Sequence, residues 1–202
     1  MIARLPPSAG LRVGLLGGSF NPPHTAHRAV SLMAMKKLRL DFVWWVVSPG
    51  NPLKDTRGLP PLAARIEAAR EVANHPRIIV TDLEAQIGTR YTIDTLRHLR
   101  ARCPAAKFVW VAGADVLEEF HRWRRWRDIF HLIPLCFVDR GGETLDALGA
   151  PAALTFARVR WPESRAARIP GMRPPAWVFL RGLKLTLSST AIRAGKARAR
   201  SV

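Results

Sequence analysis

Short apolar runs alternate with segments of helical periodicity along most of the chain. The apolar runs, rich in β-branched and aromatic residues, are residues 11–16, 42–47, 78–80, 108–112, 135–138 and 177–180. The segments with apolar residues at helical spacing are residues 25–38, 62–73, 92–101 and 123–130, and a last helix is predicted to start near Ser188 or Ser189. Strands that alternate with helices predict a mostly parallel sheet with right-handed crossovers and helices on both faces.

This order of elements is that of a Rossmann-like, doubly wound α/β fold. We expect the 202 residues to form a single domain. Residues 1–10 are expected to be flexible, and residues 141–173, rich in Ala, Arg, Gly and Pro, form an irregular insertion with at most one helix. In an open parallel sheet, ligands bind beyond the carboxyl ends of the strands, where the strand order reverses. The loop after the first strand is therefore the first place to look for a site.

The large net charge of the chain does not by itself identify the class of molecule that it binds. With 32 basic against 15 acidic residues, the formal net charge is +17 and the pI about 11.6. A basic chain suits nucleic acid and polyphosphate equally well. The cations are mostly Arg, are densest at residues 122–127, 158–168 and 193–200, and nowhere alternate regularly with aromatic residues. A nucleic-acid-binding protein stays open as a non-enzymatic alternative.

The sequence shows no sign of a membrane or secreted protein. The longest apolar run, residues 42–47, is far shorter than the roughly 20 residues that span a bilayer, and the start of the chain has no signal-like apolar segment. A cytoplasmic location is therefore expected. Cys103 and Cys136 are isolated and are predicted to be reduced, buried thiols. An oligomeric assembly stays open as an alternative to a monomer.

The loop after the first strand, residues 17–27, reads GGSFNPPHTAH. Gly17 and Gly18 let the backbone approach a ligand, and the following helix points its N-terminal N–H groups at the same space. His24 and His27 are three residues apart, so they share one face of the first helical turn. A bare HxxH is commonly a surface or core feature, but after a strand and two glycines it predicts a phosphate site.

A second candidate phosphate site lies near the end of the chain, where residues 187–193 read LSSTAIR. Ser188, Ser189 and Thr190 are good N-cap residues, and Arg193 falls in the first turn of the helix they would start. Alone, this pattern also fits an ordinary capped surface helix. Together with the glycine loop it predicts a second clamp for phosphate.

These two segments resemble the signatures of the nucleotidylyltransferase superfamily, a glycine-rich loop followed by HxGH and a later (I/L)SST-x-IR. One residue departs from the first signature: Ala26 stands where the superfamily usually has Gly, so the site must accommodate a methyl group. The resemblance implies that His24, His27 and Arg193 are catalytic and neutralise the ATP phosphates in the transition state. It implies ATP binding by Gly17, Gly18, Ser19, Phe20, His24, His27, Ser188, Ser189, Thr190 and Arg193.

Three segments between these motifs are similar to those of the nicotinate mononucleotide adenylyltransferases. They are NPLK at residues 51–54, RYTIDTL at 90–96, where the family has Ser in place of Arg90, and GADVLEEFHRW at 113–123. The resemblance implies that Trp123 stacks on the pyridine ring, Thr92 meets the nicotinate carboxylate and Asp115 holds a ribose hydroxyl. It extends the nicotinate mononucleotide site to Asn51, Lys54, Thr92, Asp115 and Trp123. Arg140, just after the fifth predicted strand, is a weaker candidate for the same site.

The residues themselves leave other interpretations open. Trp123 and Trp126 have the spacing of helix core anchors, and Asp115 could simply cap a helix. The implied reaction joins ATP and nicotinate mononucleotide into deamido-NAD with release of pyrophosphate, as a step of NAD biosynthesis. No carboxylate cluster suggests a resident metal, so Mg²⁺ is expected to arrive with ATP. Within the superfamily the alternatives are an enzyme for nicotinamide mononucleotide or for another phosphate monoester; a fragment of a class I aminoacyl-tRNA synthetase would need more chain.

Overall fold

The computed structural model describes residues 5–53, 56–139 and 144–182. The predicted site residues outside this part of the chain are Lys54, Arg140, Ser188, Ser189, Thr190 and Arg193. The predicted last helix and the basic residues at 193–200 also lie outside it. The proposed flexibility of residues 1–10 stays a prediction, although Leu5 packs against the core and Ser8 is buried.

Strands and helices alternate as predicted. The strands are β1 (Arg12–Gly18), β2 (Phe42–Val47), β3 (Ile78–Thr81), β4 (Lys107–Gly113), β5 (Leu135–Val138), β6 (Arg160–Trp161) and β7 (Trp177–Leu180). The α-helices are α1 (Thr25–Leu38), α2 (Leu62–Ala73), α3 (Leu83–Gln86), α4 (Thr92–Arg102), α5 (Ala114–Glu119), α6 (Trp126–Leu132), α7 (Thr144–Gly149) and α8 (Pro151–Thr155). Three 3₁₀ segments are Phe120–Arg122, Ala157–Val159 and Glu163–Gly171.

The seven strands form one sheet in the order β3-β2-β1-β4-β5-β7-β6, and every pair of neighbours is parallel. The chain runs outward from β1 through β2 to β3, then returns to place β4 on the other side of β1. The strand order therefore reverses between β1 and β4, which is the crevice where doubly wound sheets bind ligands. The predicted doubly wound α/β fold is confirmed.

Helices cover both faces of the sheet because alternate residues of each strand point to opposite sides. On one face, Trp44, Trp110 and Trp177 pack with residues of α4, α5 and α6. On the other, Trp45 and Val111 pack with residues of α1 and α2 and with the 3₁₀ segment Glu163–Gly171. Strands buried on both sides explain why the sequence shows continuous apolar runs here.

The helix expected at residues 123–130 begins later, at Trp126. Arg125 adopts a left-handed backbone conformation with φ of 53°, which interrupts any helix between Trp123 and Trp126. Trp123 therefore lies in an extended turn after the 3₁₀ segment Phe120–Arg122. The short helices α3 and α5 were not predicted, because four to six residues are too few to show a helical period.

The insertion is more structured than expected. Between residues 144 and 173 the chain forms two short helices, two 3₁₀ segments and the edge strand β6, where we predicted a loop with at most one helix. Ile169 and Ala166 pack against the sheet, so tertiary contacts stabilise elements too short to be read from a pattern. Both cysteines are unpaired; Cys136 is fully buried, and burial raises the pKa of its thiol, whereas Cys103 is only half-buried, contrary to prediction.

Within residues 5–53, 56–139 and 144–182, no helix has the length and apolar character to cross a bilayer.

Candidate active site

A cavity of about 600 Å³ opens at the carboxyl end of the sheet, where β1 and β4 diverge. One side is residues 17–27, called here the glycine loop, which packs with α1 on one face of the sheet. The opposite side of the cavity is formed by residues on the other face of the sheet. We call it the arginine-rich wall; its residues are Glu84, Arg90, Tyr91, Thr92, Arg122, Trp123 and Arg124.

The cavity collects the predicted site residues from distant parts of the chain. Those that line it are Gly17, Gly18, Ser19, Phe20, His24, His27, Asn51, Thr92, Asp115 and Trp123. Every predicted site residue within the described part of the chain is thus in the cavity wall. What each residue contacts in a bound ligand stays a prediction.

The space around the two glycines of the loop differs. A Cβ at Gly17 would collide with the ring of Trp110, coming within 2.8 Å of its Cζ2. A Cβ at Gly18 would meet only Phe20, at an ordinary 3.5 Å. The requirement for Gly17 is therefore set by the protein's own packing, in addition to the close approach of a ligand that we expected.

His24 and His27 lie side by side at the start of α1. Their ring centroids are 3.9 Å apart, and His24 is the residue immediately before the helix, with 6% of its surface exposed. The backbone N–H of His24 donates to Nδ1 of His27 at 3.2 Å. Because Nδ1 accepts, a neutral His27 carries its proton on Nε2 and can donate from there. The positive end of α1 adds to these donors, so this corner of the cavity favours anions.

A buried arginine that the sequence analysis missed holds the two loops beside the cavity together. Arg65 of α2 is 3% exposed, and its Nη1 donates to the carbonyl oxygens of Ser19 at 2.7 Å and Ser48 at 2.8 Å. Its other nitrogens donate to the carbonyl oxygens of Pro49 and Pro60. Burial lowers the pKa of this guanidinium. Arg65 fixes the loop after β1 against the loop after β2, so it positions the site without lining it.

Trp123 and Trp126 have different environments despite their similar sequence context. Trp126 is 9% exposed and packs edge-on against Phe130 and Phe156, so it is a core residue. Trp123 stacks on Phe120 with centroids 4.8 Å apart and lines the cavity. A half-buried indole supported on one face suits a flat aromatic ligand.

The start of α4 is held in place by several contacts. The backbone N–H of Tyr91 donates to Oγ1 of Thr89 at 3.1 Å, and the guanidinium of Arg124 lies over the Tyr91 ring, 4.6 Å from its centroid. Thr92, the first residue of α4, therefore presents the N-terminus of this helix to the cavity. Asp115 occupies the corresponding first turn of α5, directly after β4.

Asn51 belongs to the loop after β2. Its Oδ1 accepts a hydrogen bond from the backbone N–H of Leu53 at 2.8 Å, which closes a local turn. The side-chain amide is therefore held in a defined position beside the cavity and still has N–H donors to offer.

Glu84 is the buried carboxyl group of the arginine-rich wall. It is 3% exposed, and its Oε1 accepts a hydrogen bond from Oγ1 of Thr95 at 3.0 Å. Burial raises the pKa of this carboxyl group, although hydrogen bonds from Ser48 and Thr95 oppose the effect. The Thr95 hydroxyl also lies 3.3 Å from the carbonyl oxygen of Tyr91, so Glu84 is linked through it to the first turn of α4.

From the sequence, Arg90 was identified only as a departure from a motif. Glu84, Tyr91 and Arg124 were not predicted as site residues. The signal for Arg124 was its position beside Trp123, within the Arg-dense segment 122–127. For Arg65 the only signal was a charged residue at the inward position of a helix, and Glu84 gave no signal because α3 is too short to show a helical period. That pattern does not say which groups the charge meets.

The comparisons with known proteins agree with the family that the sequence motifs resemble. A family model described as cytidylyltransferase-like matches residues 15–195. Two proteins of Bradyrhizobium, from strains BTAi1 and ORS 278, are 57% and 56% identical over 91% of this chain and 95% of their own length, and each is named a probable nicotinate-nucleotide adenylyltransferase. A solved structure of Plasmodium falciparum nicotinic acid mononucleotide adenylyltransferase complexed with NaAD has a TM-score of 0.68 at 18% identity, covering 91% of this chain and 83% of that one.

The structural likeness supports the fold, while the sequence relatives define the family, since they match nearly the whole chain at more than half of the aligned positions. The chain therefore belongs to the cytidylyltransferase-like family and, within it, to the nicotinate-nucleotide adenylyltransferases, which are nucleotidyltransferases of NAD biosynthesis.

Proposed function

We propose that this protein transfers the adenylyl group of ATP to nicotinate mononucleotide, giving nicotinate adenine dinucleotide and pyrophosphate, in the cytoplasm. The observation that carries the proposal is the cavity itself. It places a helix N-terminus with two histidines on one side and a supported indole beside a second helix N-terminus on the other. Two anionic substrates can thus meet at the crevice between β1 and β4.

The glycine loop would bind the ATP. The nucleotide would bind past the end of β1, against Gly17, Gly18, Ser19 and Phe20. His24 and His27 would donate to the phosphates as negative charge builds up on the leaving group. Ser188, Ser189, Thr190 and Arg193 are proposed to complete this half of the site by binding the β- and γ-phosphates.

The arginine-rich wall and its neighbours would bind the mononucleotide. Trp123 would stack on the pyridine ring, the N-terminus of α4 at Thr92 would receive the carboxylate, and Asp115 would accept a hydrogen bond from a ribose hydroxyl. Asn51, Lys54 and Arg140 are proposed to contact the rest of the mononucleotide.

The chemistry needs no covalent enzyme intermediate. A phosphate oxygen of the mononucleotide attacks the α-phosphorus of ATP, a new P–O bond forms, and the bond to the β-phosphate bridging oxygen breaks as pyrophosphate leaves. Since the nucleophile is already an anion, the enzyme's task is to offset charge repulsion and align the reacting groups in line. Such alignment can supply on the order of 7 to 11 kcal/mol.

We propose that Mg²⁺ enters as part of the Mg-ATP substrate, because this ion prefers phosphate and water oxygens. Among the described residues, no group of three or more His, Cys, Asp or Glu side chains is arranged to bind a metal.

Pyrophosphate release from Mg-ATP, measured in parallel with nicotinate mononucleotide and nicotinamide mononucleotide, tests the proposal. Turnover that favours the acid supports it, and equal turnover would indicate an enzyme for both nucleotides. No turnover with either would point to another phosphate monoester. Binding to DNA or RNA that weakens steeply with salt, without ATP turnover, would instead indicate a nucleic-acid-binding protein.

Replacement of Trp123 by Ala tests the mononucleotide half. We expect KM for nicotinate mononucleotide to rise about tenfold, in line with the roughly 1 to 3 kcal/mol of stacking on an aromatic side chain. KM for ATP should change little. An unchanged KM for the mononucleotide would make Trp123 a purely structural residue.

A further inference from the structure

Three arginines of the wall, Arg90, Arg122 and Arg124, are exposed and line the cavity. Within residues 5–53, 56–139 and 144–182, none of them lies within 4.0 Å of a carboxylate oxygen. Neighbouring arginines behave differently, since Arg97 and Arg125 both pair with Asp128. Three cations that line one cavity and have no acidic partner among the described residues raise the local concentration of anionic ligands there.

Arg124 is the most precisely placed of the three. Its guanidinium lies over the ring of Tyr91, 4.6 Å from the centroid, and Tyr91 directly precedes Thr92 at the start of α4. Trp123 directly precedes Arg124 in the sequence, and its indole stacks on Phe120. A guanidinium that lies over an aromatic ring keeps N–H donors for a second partner, and its planar fork of donors matches the two oxygens of a carboxylate.

We propose that Arg124, assisted by Arg90, selects mononucleotides whose pyridine ring carries a carboxylate over those whose ring carries an amide. This inference rests on the proposed function, because it assumes that the ring stacks on Trp123 near Thr92. It goes beyond that function by assigning the choice between acid and amide to the side chains of Arg124, which follows the segment GADVLEEFHRW, and of Arg90, which stands where the family usually has Ser. The carboxylate forms an ion pair with the guanidinium, whereas the uncharged amide offers a single oxygen.

A comparison of the acid and the amide mononucleotide distinguishes an arginine that binds the ring substituent from one that binds phosphate. Both mononucleotides carry the same phosphate, so an arginine that binds phosphate would affect them equally. Only an arginine that contacts the ring substituent changes their ratio.

The experiment compares Arg124→Met, Arg124→Lys and Arg90→Met with the unchanged protein, measuring kcat/KM for nicotinate mononucleotide and for nicotinamide mononucleotide. For Arg124→Met we expect the acid-to-amide ratio to fall about tenfold, as for loss of a charge-assisted hydrogen bond that water can reach. Arg124→Lys should keep part of the preference, because it keeps the charge but loses the paired donors. Arg90→Met should have a smaller effect in the same direction.

Arg127→Met is the matched control. Arg127 is exposed and lies over an aromatic ring in the same way, 4.4 Å from the centroid of Trp126, but it does not line the cavity. This variant should leave the acid-to-amide ratio unchanged. Thermal unfolding of all four variants shows whether any loss of activity reflects loss of fold.

An unchanged ratio in Arg124→Met, or an equal fall with both nucleotides, would overturn the inference and leave the proposed function intact. Absence of turnover in the unchanged protein would overturn the proposed function instead. In that case calorimetric titration with the two mononucleotides still decides the inference: a preference in Kd for the acid that Arg124→Met abolishes supports it, and equal Kd values refute it.

Discussion

The glycine loop and the arginine-rich wall line the same cavity but are built in different ways. The loop is one continuous segment between β1 and α1, and its functional groups are backbone N–H donors and two histidines within a single helical turn. The wall combines residues from α3, the start of α4 and the turn before α6, which are brought together only by packing on one face of the sheet.

This difference shows which parts of a site can be recognised locally. Phosphate binding by a helix N-terminus depends on a strand, a tight turn and a helix in sequence, so its pattern is fixed along the chain. Recognition of an aromatic ring and its substituent needs a flat surface and charges from several directions. Such a surface can be assembled from many sequences. A substitution such as Arg90, where the family has Ser, changes the surface without disturbing the fold.

The most damaging change in the loop should be His27→Ala. We expect kcat to fall about 10²- to 10³-fold, because the variant loses a donor to the charge that develops in the transition state. Pyrophosphate release measures the effect, and the melting temperature should stay near that of the unchanged protein. Exposed His131, outside the cavity, provides the control His131→Ala; turnover of His27→Ala as fast as this control would contradict the catalytic role.

Arg65→Met should disturb the loops on which the cavity depends. It removes donors to the carbonyl oxygens of Ser19, Ser48, Pro49 and Pro60, and we expect the free energy of unfolding to fall by about 2 to 4 kcal/mol. Urea unfolding measures this change, and KM should rise for both substrates.

The control for Arg65 is Arg70→Met on the same helix. Arg70 pairs with Glu67 on the surface, where an ion pair contributes about 0.5 kcal/mol. Equal stability of the two variants would show that Arg65 does not hold the loops.

Gly17→Ala and Gly18→Ala compare two adjacent positions of the loop. The methyl group at position 17 would collide with Trp110, so we expect a loss of about 1 to 3 kcal/mol in the free energy of unfolding. At position 18 the methyl group meets only Phe20 at contact distance, so the loss should be below about 1 kcal/mol. Denaturant unfolding gives both values, and the reverse order would refute the packing argument.

Glu84→Gln should change how stability depends on pH. Because burial raises the pKa of Glu84 in the folded state, folding favours the protonated form. The stabilisation from this proton is complete below the pKa of the unfolded chain, near 4.5, and is lost as the pH rises through the folded value. The amide variant cannot ionise, so its stability relative to the unchanged protein should increase over that range and then level off.

Unfolding free energies measured from about pH 4 to pH 8 test this prediction. Exposed Glu71 gives the matched control Glu71→Gln, which makes the same chemical change at the surface. A constant difference between Glu84→Gln and the unchanged protein would mean that the carboxyl group reaches water in the folded state.

Much of the fold followed from local pattern. The strands from β1 to β5, the strand β7 and the helices α1, α2 and α4 were predicted within about two residues, because long apolar runs and helical periods report burial directly. The sequence missed short helices such as α3 and α5 and the two-residue strand β6, and it placed the start of α6 too early. A left-handed residue such as Arg125 leaves no mark in a hydrophobic pattern.

The sequence by itself determined the α/β order of the chain and the position of the glycine loop, since both depend on residues that are neighbours along the chain. It also provided Trp123 and Thr92 as candidates through a family resemblance. Only the tertiary structure decided that Trp123 faces the cavity while Trp126 enters the core, that Gly17 makes room for Trp110, and that Arg65 joins two loops. These facts depend on contacts between segments far apart in sequence, which arise only when the helices pack on the sheet.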